Sequence, residues 1–131
     1  MLPLENLKKS SLINGMSKVQ EIIKKKNDRK NRLLSSLDLI VDQLKKMGAL
    51  KIVLFGSLMR DEVDINSDLD LFVLMPSTKT GKEWFNIIYD QIERKVASDI
   101  IVYNENEFNE ELQWNSLLTN ISKGKVIYEK V

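Results

Sequence analysis

The chain has 131 residues, 43% of them apolar and 30% charged, the size and make-up of one globular domain. It has no cysteine and no histidine, which excludes disulfides, thiolate or imidazole metal sites and every histidine-based acid, base or triad; any metal must be held by oxygen, which suits Mg²⁺ or Mn²⁺. The net charge of +1 conceals a division, because residues 1–51 hold twelve Lys/Arg against five Asp/Glu and residues 52–131 hold eight against fourteen.

The first fifteen residues mix Glu5, Lys8 and Lys9 with Leu and Ser, unlike a signal peptide. No apolar run approaches the ~18 residues of a membrane span, so a cytoplasmic protein without membrane contact is expected. Leu12, Ile13, Met16, Val19 and Ile23 recur at helical spacing, and Ser17 with Gln20 fits a capping box that starts a helix near residue 17. This stripe either covers the sheet or forms a dimer or partner interface. Leu33, Leu34, Leu37, Ile40, Val41, Leu44 and Met47 make a second amphipathic stripe ending at Gly48. The two stripes are nearly in phase, and the lysine-rich stretch from Lys24 to Arg32 between them permits one long helix or a break near Asn27. A charge run on a helix is more often a solvated face than a nucleic-acid site, and nucleic acid is not an expected partner.

Lys51–Phe55 reads as a short buried strand bounded by Gly56, and Leu69–Leu74 as a second. Thr80 and Glu83 form a capping box before Trp84, Phe85, Ile88, Ile92 and Val96 on one helical face. Asp99–Tyr103 is a third strand. Glu110–Lys123, with Trp114, Leu117, Leu118 and Ile121 at helical spacing, is a helix stopped by Gly124, and Val126–Tyr128 is an extended tail. Trp84 and Trp114 are expected in the core, and Tyr103 and Tyr128 buried or half-buried on strands.

Asp68 and Asp70 lie two apart at the start of an apolar strand and therefore point the same way, with Leu69 and Leu71 pointing oppositely. Adjacent carboxylates repel unless a proton or cation relieves them, and a pair of divalent metals ~3.5–4 Å apart does so in nucleotide-transfer sites. Asp99 opens the third strand and can join them as a further ligand or as a base for an attacking hydroxyl. Gly56-Ser57 ends the first strand in a turn able to aim N–H groups and a hydroxyl at a phosphate, and Arg60 follows with a guanidinium suited to phosphate oxygens. Asp-x-Asp or Gly-Ser alone is common by chance; their conjunction at the correct ends of two strands is specific.

The stretch Lys51-Ile52-Val53-Leu54-Phe55-Gly56-Ser57, ten residues, then Ser67-Asp68-Leu69-Asp70-Leu71-Phe72-Val73 resembles the signature of the DNA polymerase β-like nucleotidyltransferases. More narrowly it is similar to the minimal nucleotidyltransferases, often antitoxins paired with HEPN-type toxins, over about residues 33–131. The resemblance implies an α+β fold in which a small mixed sheet has helices on one side and the three aspartates at one edge of the other. It divides the chain into an N-terminal helical extension, 1–31, and a nucleotidyltransferase domain, 32–131. It implies that Asp68, Asp70 and Asp99 bind two Mg²⁺, that Gly56, Ser57 and Arg60 hold the triphosphate of ATP, and that AMP passes to a hydroxyl, by family habit a tyrosine of a HEPN-type toxin. The family usually follows that Arg with Gly, where this chain has Asp61, with Glu62 and Asp64 nearby. Two other readings stand beside it: a binding module that blocks its partner by contact alone, and one half of a split small-molecule (aminoglycoside-type) transferase. A homo-oligomer is compatible with all three.

Overall fold

In the computed structural model, residues 2–131 are described, with side chains from Ser17 onward apart from Ser122. The two front stripes merge into one continuous 45-residue helix, α1 (Leu2–Lys46). Pro3 sits in its first turn, where a missing N–H has no intrahelical partner to lose. Ser17 and Gln20 therefore do not start a helix, because the residues before them are already helical and leave no helix end there to cap. Of the front stripe, Val19 and Ile23 are exposed rather than laid on the sheet, while Leu12, Ile13 and Met16 lie outside the described side chains. The helix stops at Gly48 (φ +99°), whose left-handed backbone lets Gly48 N–H reach Lys45 O (3.1 Å) and Ala49 N–H reach Leu44 O (3.0 Å). Leu33, Leu37, Ile40 and Leu44 are 0–6% exposed; burying each contributes roughly 2 kcal/mol, and this half of α1 is what anchors the helix.

Four strands, β1 (Lys51–Phe55), β2 (Leu69–Met75), β3 (Ser98–Asn104) and β4 (Lys125–Glu129), form one mixed sheet in the order β3-β2-β1-β4. The expected tail is thus an edge strand, antiparallel to β1, which is also antiparallel to β2. β2 and β3 are parallel and need a crossover, which α3 (Gly81–Gln91) supplies. Its N-terminus carries the expected capping box, Glu83 N–H to Thr80 Oγ1 (3.1 Å) and Thr80 N–H to Glu83 Oε1 (3.2 Å).

Alternation along the strands makes two cores. One face (Ile52, Leu54, Leu69, Leu71, Val73, Ile100) packs on α1 and on Trp84, Ile88 and Ile92 at α3. The other (Val53, Phe72) is covered by Leu118 and Ile121 with Phe108 and Leu112 beside them. Helices therefore lie on both faces, not one. Of the expected helix Glu110–Lys123, the part Ser116–Ser122 forms α5, while the residues before it belong to the end of an unexpected helix, α4 (Glu105–Glu111), and to a turn. Asn104 begins α4 with a capping box to Glu107, and the Asn115 side chain accepts from Leu117 N–H (3.1 Å) and Leu118 N–H (3.4 Å), capping a new helix. That break carries Trp114 out of the core to 71% exposure, whereas Trp84 is buried as expected, and Tyr103 and Tyr128 are half-buried. No helix among the described residues is long and apolar enough to cross a membrane.

Candidate active site

Strand register brings the candidate residues together. Parallel pairing sets Asp70 opposite Asp99, while Asp68 stands two residues earlier, just before β2 begins. Antiparallel pairing sets Phe55 opposite Asp70, so the next residue, Gly56, arrives against the Asp70 carboxylate. Gly56 has φ +76°, and a Cβ there would overlap Asp70 Oδ2 and lie 2.8 Å from Cγ. Two independent constraints, a left-handed backbone and a close approach to a carboxylate, require glycine. The three aspartates share the face that carries Phe72.

Asp68 and Asp99 are exposed and Asp70 is half-buried. Burial raises the Asp70 pKa above its ordinary 3.8, the nearby charges of Asp99 and then Asp68 raise it further, and Arg60 opposes them. Among the described residues, no group of three or more acidic side chains stands close enough together to hold a metal ion as it is. Asp68 is instead turned toward Arg29, with Oδ1 3.7 Å from Nη2.

Gly56 and Ser57 begin the four-residue turn of helix α2 (Gly56–Met59), and Arg60 follows at its end. Arg60 Nε donates to Glu62 Oε2 (3.0 Å) and Lys30 Nζ to Asp61 Oδ1 (2.7 Å), so the two acidic residues of this turn each have a cation. Both pairs are exposed; each contributes at most about 1 kcal/mol and can be exchanged for another anion. Asp61 has φ +55°, a left-handed conformation that explains on backbone grounds why glycine is usual there.

Three positioning residues were not legible as such in the sequence. Arg29 Nε donates to Ser67 O (2.8 Å) and, with its approach to Asp68, ties α1 to the loop that precedes β2. Lys30 does the same for Asp61. Both stand one turn before Leu33, on the core-facing side of α1, and that phase was the available signal against an entirely solvated charge run. The third is Tyr89 of α3, whose hydroxyl accepts from Ile100 N–H (2.9 Å) and donates to Ser98 O (3.3 Å). It spans the edge strand on either side of Asp99 and so fixes the backbone from which that carboxylate projects.

The family model described as "Nucleotidyltransferase domain" matches residues 34–128. The crystal structure of a provisionally assigned nucleotidyltransferase from Sulfolobus solfataricus superimposes with a TM-score of 0.56 at 14% identity, covering 81% of this chain and 88% of that one. At that identity the likeness speaks for the fold. No curated protein matches the chain.

Proposed function

The chain belongs to the nucleotidyltransferase domain family, and within it we propose that this protein transfers AMP from ATP to a protein hydroxyl. The observation that carries the reading is the in-register pairing of Asp70 with Asp99 directly beneath Gly56. Burial first, and then the charges of Asp99 and Asp68, raise the Asp70 pKa, and a cation placed among these carboxylates relieves the repulsion between them. The donor set is all carboxylate oxygen, which fits Mg²⁺, with Asp68, Asp70 and Asp99 as the residues that would hold two ions once Asp68 exchanges Arg29 for a metal. When bound, the ions supply charge neutralisation for the triphosphate and for the leaving pyrophosphate.

The protein's own residues do the rest. Gly56 and Ser57 present backbone N–H groups and a hydroxyl to the phosphates, and Arg60 leaves Glu62 to meet a phosphate oxygen. Asp99, exposed at the start of β3 and braced by Tyr89, accepts the proton of the attacking hydroxyl. The acceptor oxygen attacks the α-phosphorus in line and pyrophosphate leaves. Resemblance to the minimal nucleotidyltransferases makes a tyrosine of a HEPN-type toxin the acceptor and this chain the antitoxin.

The test is incubation of the chain and its candidate partner with ATP labelled at either the α or the γ phosphate. Transfer of the α label only, dependent on Mg²⁺ and abolished by Asp70→Asn, supports the reading; transfer of the γ label, or unimpaired Asp70→Asn, refutes it. The binding-module alternative draws on the Arg60–Glu62 pair, which occupies the cation meant for phosphate. It is favoured if a partner is retained by Asp68→Ala/Asp70→Ala protein while the parent transfers no label.

A further inference from the structure

Exposed apolar side chains gather at two separate places. On the front of α1, Val19, Ile22 and Ile23 are 58%, 53% and 52% exposed, and every residue from 18 to 28 is exposed, although Ile23, Lys26 and Asn27 flank the loop that carries Asp61 and Val63. Its charge is strongly positive, with Lys18 and the run Lys24–Lys26 against a single Glu21 up to residue 26. At the α4–α5 junction, Trp114 is 71% and Leu117 58% exposed. That region holds no Lys or Arg from 105 to 122 and carries exposed Glu105 and Glu110. A tryptophan this open is unusual, since the side chain has 150–250 Å² to bury and seldom leaves it in water.

Each surface has what the other lacks, and within one molecule they cannot meet. α1 is packed on one face of the sheet through Leu33–Leu44, α4 and α5 lie on the opposite face, and α1 runs as an unbroken helix that cannot fold back. We propose that they meet between molecules: the basic apolar front of α1 in one copy docks on the acidic apolar α4–α5 junction of a second copy. A two-fold exchange makes the contact twice and closes the assembly as a dimer. Pairing of α1 with α1 is the weaker arrangement, because it brings the Lys24–Lys26 runs of both copies into one short contact, and the stripe that continues Leu33 and Leu37 toward the N-terminus passes through Lys30 and Lys26 before reaching Ile23. Opposite charge at the rim and apolar side chains at the centre are the composition of a specific interface.

The experiment is sedimentation velocity over a wide concentration range with the full chain, every variant being first checked for native circular dichroism. All the altered residues are exposed, so folding is preserved. The parent is expected to dimerise, and Trp114→Gln, Lys25→Glu/Lys26→Glu and Glu105→Lys/Glu110→Lys each to raise the dimer Kd by about tenfold or more. Combining the two charge reversals in one chain restores the dimer to within about threefold of the parent. A parent that stays monomeric throughout the range, a dimer indifferent to Trp114→Gln, or charge reversals whose effects add instead of cancelling would each overturn the proposal.

Discussion

Replacing Gly56 by alanine adds one carbon to the most crowded point of the candidate site. The backbone at φ +76° is left-handed, which costs a residue with a Cβ about 1–2 kcal/mol. The new methyl also overlaps the Asp70 carboxylate, which must retreat by on the order of 1 Å to restore van der Waals contact. Together these give a stability loss of roughly 2–3 kcal/mol, a fall in Tm of about 6–12 °C for a domain of this size, read by thermal unfolding. A displacement of ~1 Å in a catalytic carboxylate lowers transfer by about 10²-fold, read as the rate of α-label transfer from Mg-ATP. The double variant Gly56→Ala/Asp70→Ser separates the two causes: without the carboxylate, alanine should cost only the backbone part, about 1–2 kcal/mol relative to Asp70→Ser alone. An unchanged Tm and a rate within about threefold of the parent would refute the account of Gly56. The same cost in both backgrounds would assign all of it to the backbone.

Because the Asp70 pKa is raised above 3.8, folding favours its protonated form; the resulting stabilisation is complete below the ordinary carboxylate value and is lost as pH rises through the raised one. Asp70→Asn should therefore have a higher Tm than the parent at pH 7 and no advantage near pH 3, by calorimetry without divalent cations; a lower Tm at pH 7 contradicts this. Tyr89→Phe deprives Ile100 N–H and Ser98 O of their shared partner. It should lower stability by about 1–2 kcal/mol and transfer by more than that loss explains, and a neutral result removes Tyr89 as the brace of Asp99. Asp61→Gly relieves φ +55° but loses an exposed pair with Lys30, effects of about 1 kcal/mol of opposite sign, so denaturant unfolding should show a net change within about 1 kcal/mol. A loss above 2 kcal/mol would mean that the Lys30 contact matters far more than an exposed pair should.

What the sequence disclosed and what it withheld divide along physical lines. Lys51–Phe55, Leu69–Leu74 and Asp99–Tyr103 were legible because a short apolar run bounded by turn-forming or polar residues has few other uses, and two-residue alternation alone assigns Asp68 and Asp70 to one face. Thr80 and Glu83 announced α3 because a capping box is a local interaction. The pairing of Asp70 with Asp99 follows from β2–β3 register, which no local pattern states. The break at 112–115 was hidden because helical spacing of Trp114, Leu117, Leu118 and Ile121 continues across it, and Asn115 decides the matter by capping. Arg29, Lys30 and Tyr89 gain their meaning from partners 38, 31 and 11 residues away, contacts that only tertiary structure creates.

The most direct test of the central claim is calorimetric titration of the parent chain and of Asp70→Asn with ATP, in the presence and absence of Mg²⁺. Mg²⁺-dependent binding by the parent, lost in Asp70→Asn at unchanged fold, is the expected result. Absence of ATP binding by the parent under both conditions, or binding that neither Mg²⁺ nor Asp70 affects, would contradict the assignment of this carboxylate cluster as a nucleotide-transfer site.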